Sequence, residues 1–182
     1  MRRTLSIGAA FRLKRSWQSC GTWSSSTRRC KDRVSINSDF RDLFVALNVA
    51  GCKYLLVGGY ALAAHGIPRF TKDLDVWVGP DAINAGRVIE ALGAFGAPQE
   101  HIVDIDFTSS ETALQIGVPP SRIDILTAID GVTFEEAWAA RAEFSFGGVP
   151  ITTISRQHLI QNKRAVGRLQ DLADAHQLEQ LE

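Results

Sequence analysis

The stretch GGYALAAHGIPRFTKDLDVWV, from Gly58 to Val78, follows a short apolar run ending at Val57 with a glycine pair. After thirteen intervening residues it sets Asp-Leu-Asp inside a second apolar run. Asp73 and Asp75 share that run with Leu74, Val76, Trp77 and Val78. On a strand, side chains alternate, so the two carboxylates point to one face about 6 to 7 Å apart while Leu74 and Val76 point to the other. Two such charges in a partly dry site repel, and one takes up a proton unless a cation sits between them. Mg²⁺ suits that place, because it prefers a few carboxylate oxygens together with waters and substrate phosphates. A glycine turn entering a helix lets backbone N–H groups come close to an anion, so Gly58-Gly59 suits a phosphate. Either motif alone also fits a plain turn or a charged edge strand. Their order and spacing favour a site.

Working outward, Phe40, Leu43, Phe44 and Leu47 repeat at helical spacing, with Ser38 as candidate N-cap and Gly51 as the stop. Residues 53–57 read as a strand, 60–65 as a short Ala-rich helix ended by Gly66 and Pro68, and 73–78 as a second strand. A helix from about Asp81 puts Ala85, Val88, Ile89 and Leu92 on one face. Residues 102–107 alternate apolar with Asp104 and Asp106 and predict a strand; 108–121 predict a loop or short helix. RIDIL, 122–126, is a third strand, 133–142 a helix, and 143–146 with 149–153 a hairpin about Gly147-Gly148. Ser155 caps a final helix running to about Leu181, with Leu159, Val166, Leu169 and Ala173 as its core stripe. The expected class is α/β (α+β): a small mixed sheet with flanking helices and a C-terminal helix.

Length suits one folded unit: 182 residues make a proper core but not two catalytic domains. An apolar fraction of 45% with 22% charged residues is ordinary for a globular protein. No apolar run approaches the roughly 18 to 20 residues of a membrane-spanning helix, which predicts a chain with no membrane partner. The zero net charge hides an asymmetry: residues 1–33 hold nine Lys or Arg against one acid, Asp32, so the remainder is acidic. The basic, Ser-rich segment 1–35 lacks the apolar stretch of a secretory signal and reads as a poorly ordered tail, with a transit peptide or an RNA-touching arm as other readings. Cys20, Cys30 and Cys52 are odd in number and lack C-x2-C spacing, which predicts a reduced, cytoplasmic protein and no zinc site.

Asp124 is a lone acid between Ile123 and Ile125, which also fits a strand-end acid paired with Arg122 or exposed. If its strand lies beside the first, three carboxylates converge and could hold two metal ions roughly 4 Å apart, as phosphoryl-transfer sites do. The glycine pair, Asp73-Leu74-Asp75 and Asp124, with the stretches HGIPRFTKDLD, RIDIL and NKRAVGRLQDLAD, resemble the DNA polymerase beta-like nucleotidyltransferase superfamily in its minimal prokaryotic branch. That branch includes nucleotidyltransferases of toxin–antitoxin and abortive-infection systems. The resemblance covers residues 36–182 and makes them a nucleotidyltransferase domain. It implies that Asp73, Asp75 and Asp124 are the catalytic, metal-holding acids for two Mg²⁺ (or Mn²⁺) ions, Asp124 assisting the attacking hydroxyl, and that Gly58 and Gly59 cradle the NTP phosphates. Gly59 stands where many members carry Ser, which leaves backbone donors only.

Arg69, Thr71 and Lys72 precede the acidic strand and are further candidates for phosphate contact, as is Lys163 on the last helix. Lys163 also fits a helix-surface charge network with Arg164, Arg168, Asp171 and Asp174. His65 reads as a cap or packing residue. The expected activity is Mg²⁺-dependent transfer of a nucleoside monophosphate from an NTP to a hydroxyl, with a silent nucleotide- or partner-binding module as the alternative. A tRNA or protein acceptor, a cognate toxin or antitoxin, and the choice among ATP, CTP, GTP and UTP all stay open.

Overall fold

The structure, a computed structural model, describes residues 3–7, 37–109 and 112–181. It is a mixed α/β fold: the described residues form seven strands in one sheet, flanked by helices. The elements in chain order are β1 (Arg3–Ile7), α1 (Ser38–Val49), β2 (Tyr54–Val57), α2 (Gly58–Ala64), β3 (Asp73–Val78), α3 (Ala82–Phe95) and α4 (Gln99–Ile102). Then follow β4 (Thr112–Ile116), β5 (Arg122–Leu126), α5 (Phe134–Ala139), β6 (Ala142–Phe146), β7 (Val149–Thr153), α6 (Arg156–Val166) and α7 (Leu169–Glu179). The strand order is β1-β4-β5-β3-β2-β7-β6. β3 lies at the centre, antiparallel to β2 and parallel to β5.

Local chemistry sets most of these elements. Phe40, Leu43, Phe44 and Leu47 bury completely from α1, whose cap is Asn37 rather than Ser38; its side chain accepts from the Asp39 amide at 2.9 Å. α3 is capped by Asp81 and closed by Gly96 in the left-handed conformation, and α5 carries a Thr133/Glu136 capping box. Asn84, buried in α3, donates to the carbonyls of Lys53 and Gly79 at 3.0 and 2.9 Å and accepts from the Lys53 amide at 2.7 Å. Those bonds tie the start of β2 to the end of β3 and help fix the register that sets Val57 opposite Asp75.

Five expectations are corrected. Residues 102–107 are not a strand: Ile102 ends α4, and the Asp106 carboxylate accepts from the Thr108 amide at 2.9 Å, which closes a turn where a ladder bond would have been needed. The strand lies instead at β4, inside the segment expected to be loop or short helix. β1 joins the sheet parallel to β4, so elements begin before Ile36; residues 8–36 lie outside the described residues. The last helix is two, because Gly167 turns into the left-handed region with φ 70° and Arg168 restarts the chain as the cap of α7. That break changes the helical phase: Leu169 is 89% exposed and Ala173 exposed, while Asp171 and Asp174 are buried.

Candidate functional site

Parallel pairing of β3 with β5 places Asp73 beside Arg122 and Asp75 beside Asp124, and pairing on either side adds Val57 and Gln115 to the Asp75–Asp124 row. Because register partners share a face, Asp73, Asp75, Arg122 and Asp124 all project the same way. Trp77 occupies the same face two residues further on and is buried against Phe134 of α5, with ring centroids 5.1 Å apart. The expected convergence of three carboxylates is therefore present, and with them Arg122, which the sequence offered as a partner of Asp124 alone and which here also meets Asp73.

Arg122 donates from one guanidinium nitrogen to Asp73 Oδ2 at 2.7 Å and to Asp124 Oδ2 at 3.2 Å. The other oxygens, Asp73 Oδ1 and Asp124 Oδ1, are buried with no hydrogen-bond partner, as is Arg122 Nε. Burial pushes the Asp75 carboxyl up to about 7, reinforced by the neighbouring Asp124 and Asp73 and opposed by Lys163 and Arg122. Burial also raises Asp124, against the pull of Arg122. Burial, with Asp73 nearby, raises the Tyr60 phenol.

A cleft of about 420 Å³ opens over this face. Its walls include Gly58, Gly59, Arg69, Thr71, Asp73 and Asp75 on one side and Asn162, Lys163, Arg168 and Asp171 on the other. Of the residues singled out in the sequence, Lys72 is exposed and does not line the cleft; nor does Asp124, 7% exposed and held by Arg122. Gly58 takes φ +64°, and a Cβ there would fall 2.0 Å from Asp75 Oδ2; a Cβ on Gly59 would fall 2.8 Å from Thr71 Cβ. Both glycines are thus demanded by close approach, Gly58 to the acid and Gly59 to the loop. α2 has only seven residues, so its end adds little field, and the cleft's positive charge comes from side chains.

Those side chains gather around two buried acids, Lys163 buried with them, Arg69 half-buried and Arg168 exposed. Lys163 Nζ bonds Asp171 Oδ1 at 2.6 Å and Asp174 Oδ2 at 3.2 Å, Arg168 Nε bonds Asp171 Oδ2 at 2.8 Å, and Arg69 bonds Asp174. Burial works against the Asp171 charge, but its bonds to Lys163 and Arg168 outweigh it and hold the carboxyl below the usual range. Lys163 is buried rather than part of a surface network. The sequence signal for this was Asp171 and Asp174 at i and i+3 beyond a glycine break.

Among the described residues no group of three His, Cys, Asp or Glu is arranged to hold a metal ion. The donor set is nonetheless all oxygen, two of its carboxylates line the cleft, and two buried carboxylate oxygens lack partners, which suits a hard cation such as Mg²⁺. Elsewhere, His65 donates to the Ile154 carbonyl at 2.8 Å and packs edge-on to Phe144, as a packing residue. Cys52 is buried, which pushes its thiol up to about 12 and removes it as a nucleophile. A shallow depression of about 470 Å³ near His65 and Arg156 holds no carboxylate side chain. Among the described residues no helix is long and apolar enough to cross a membrane.

No family model matches the chain, and no curated protein matches it. Among solved structures, the chain is similar to the antibiotic-resistance factor ANT(2'')-Ia, known from a solution structure, at 13% identity and a TM-score of 0.46, over 78% of this chain and 80% of that one.

Proposed function

We propose that the chain is a metal-dependent nucleotidyltransferase that moves a nucleoside monophosphate from an NTP to a hydroxyl. The observation that carries this reading is the cleft itself: its lining brings Asp73 and Asp75 and a close-packed glycine turn together with Arg69, Lys163 and Arg168. A triphosphate with its cation needs both signs of charge within a few ångströms. The resemblance of the glycine pair and the three acids to the nucleotidyltransferase superfamily supports the same reading.

In this reading the acceptor oxygen bonds the α-phosphorus while the bond from that phosphorus to the bridging oxygen of the β-phosphate breaks, and pyrophosphate leaves. Mg²⁺ or Mn²⁺, when bound, would neutralise phosphate charge and favour the ionised acceptor. Asp73 and Asp75 offer it their oxygens. Asp124 takes the acceptor's proton. Lys163, Arg69 and Arg168 hold the β- and γ-phosphates, Gly58 and Gly59 let the chain approach them, and Thr71 sets the edge of the cleft. Lys72 is at most a rim contact. A tRNA or protein acceptor and a cognate toxin or antitoxin rest on the resemblance alone.

A catalytically silent nucleotide-binding module is the second reading, favoured by the engagement of Asp124 with Arg122 and by the lack of a three-acid metal group among the described residues. The deciding experiment incubates the chain with each labelled NTP, Mg²⁺ and cell extract, and follows label into macromolecules. Asp73→Ala or Asp75→Ala should abolish labelling with the fold intact. Asp124→Asn should keep NTP affinity within a few-fold while transfer falls by at least ~100-fold. Wild-type NTP binding with no transfer to any acceptor would favour the silent module, and no Mg²⁺-NTP binding at all would remove both readings.

A further inference from the structure

The Asp73–Asp124 side of the site already holds a cation. Arg122 bridges the two acids at 2.7 and 3.2 Å from a single nitrogen, in strand register with Asp73 and two residues from Asp124 on the same strand face. Asp75 is within its field but makes no bond to it. Lys163, the other cation whose charge acts on Asp75, is itself bonded to Asp171 and Asp174. Three carboxylates against one guanidinium leave two negative charges, which one divalent ion neutralises. A second ion alongside Arg122 would make the site positive and crowd the guanidinium.

We propose that Arg122 is a resident cation of the site, standing where a second metal ion would bind between Asp73 and Asp124. The resting site therefore takes one divalent ion, on the Asp73–Asp75 side, and a second enters only by displacing the guanidinium. The proposal rests on the metal-dependent reading above. The partnerless Asp124 Oδ1, on a residue 7% exposed, and the partnerless Arg122 Nε fit this picture: the bridge half-satisfies each group and leaves it able to exchange partners. Arg122 is then a positioning residue that sets ion number, and with it the order in which metal and nucleotide load.

The test is Mn²⁺ binding to the metal-free full chain, counted by paramagnetic resonance of the free ion, with and without a non-hydrolysable NTP analogue. Wild type should bind one ion per chain without nucleotide. Arg122→Gln should bind a second at a concentration at least ~tenfold below that needed by wild type, the scale on which groups beside a metal site move its affinity. Asp75→Asn should lose the single ion, and Asp124→Asn should keep it. Arg122→Lys, which retains the charge but not the fork, should keep one ion and guards against poor folding of the Gln variant. Melting curves should show a larger Mn²⁺ stabilisation for Arg122→Gln than for wild type. Equal ion counts and affinities in wild type and Arg122→Gln, or loss of the single ion in Asp124→Asn, would overturn the proposal and leave the transferase reading standing. No Mn²⁺ bound by any chain, with or without the analogue, would take both.

Discussion

Two groups of aspartates meet near the cleft, buried on the helices and buried to half-buried on the strands, and they are compensated in opposite ways. On the helices, Asp171 and Asp174 meet Lys163, Arg168 and Arg69, so that two acids answer three cations; Asp171 has both oxygens bonded to cations, and Asp174 bonds two. On the strands, Arg122 bonds Asp73 and Asp124 but not Asp75, and two of the acids' oxygens have no partner. The helix cluster has both acids satisfied without a ligand and keeps one positive charge in excess for an anion. The strand cluster is incomplete in the free chain, and its free energy falls when a cation arrives. Burial alone does not distinguish a site from a strut; the balance of charges does.

The largest expected effect comes from breaking the complete cluster. Asp174→Ala leaves Lys163 short of one partner and Arg69 without its bond, both next to buried surface. It should cost roughly 3 to 5 kcal/mol, as removal of one partner from a buried ion pair does. In a thermal melt that is on the order of 10 °C for a chain of this size. A change of only a degree or two would mean that water reaches this cluster and that the contrast between the two groups is one of degree.

The incomplete cluster should respond with the opposite sign, and only over part of the pH range. Asp75 is held near 7 in the folded chain against an ordinary value of 3.8. Between those values the folded state keeps a proton that the unfolded state has lost, so stability falls as pH rises from about 4 to 7 and stays lowered above. The full displacement corresponds to roughly 4 kcal/mol as a ceiling, less whatever relaxation and counter-ions recover. Asp75→Asn should therefore be more stable than wild type at pH 8 and equal to it near pH 4, by chemical denaturation at matched ionic strength. Added Mg²⁺ should raise wild type at pH 8 and leave the Asn variant unmoved. An Asn variant less stable than wild type at pH 8 would mean that the strand acids are already compensated.

The strand cluster was the legible one. Asp73 and Asp75 stand out because their relation is local: period-two alternation in an apolar run states that both point one way. Gly58-Gly59 were legible by position, though their reason is non-local, the approach to Asp75 and Thr71. Arg122 was legible only as a partner of Asp124 two residues on, since its pairing with Asp73 depends on the parallel register of two strands far apart in the chain. The helix cluster was hidden by Gly167: without its left-handed turn, the apolar positions predict a stripe through Leu169 that the structure exposes, and the acids that bury look like surface charge. β4 was hidden by the Ser, Thr, Gly and Pro residues around it, and β1 by a basic, Ser-rich composition that masks five residues of strand.

The smallest expected effect tests the joint between the two clusters. The loop after α2 carries Arg69, bonded to Asp174 of the helix cluster, then Thr71, then Asp73 of the strand cluster, so a push at Thr71 reaches both. Gly59 is where that push can be applied, because an added Cβ falls 2.8 Å from Thr71 Cβ and 3.0 Å from its Oγ1. Gly59→Ala should cost about 1 to 2 kcal/mol by overpacking. Thr71→Gly removes the opposing atoms, and in that background the same substitution should cost little, giving a coupling of about 1 kcal/mol in a double-mutant cycle. If the loop yields toward the helices, the Arg69–Asp174 bond absorbs the strain and Mn²⁺ affinity holds; if it yields toward the strands, Asp73 moves and affinity falls. The complete cluster is the stiffer of the two, so the strands should give way first, with Mn²⁺ affinity dropping several-fold in Gly59→Ala and returning in the double variant. Additive costs with unchanged affinity would show that the loop moves outward as a unit and that the two clusters are not mechanically joined there.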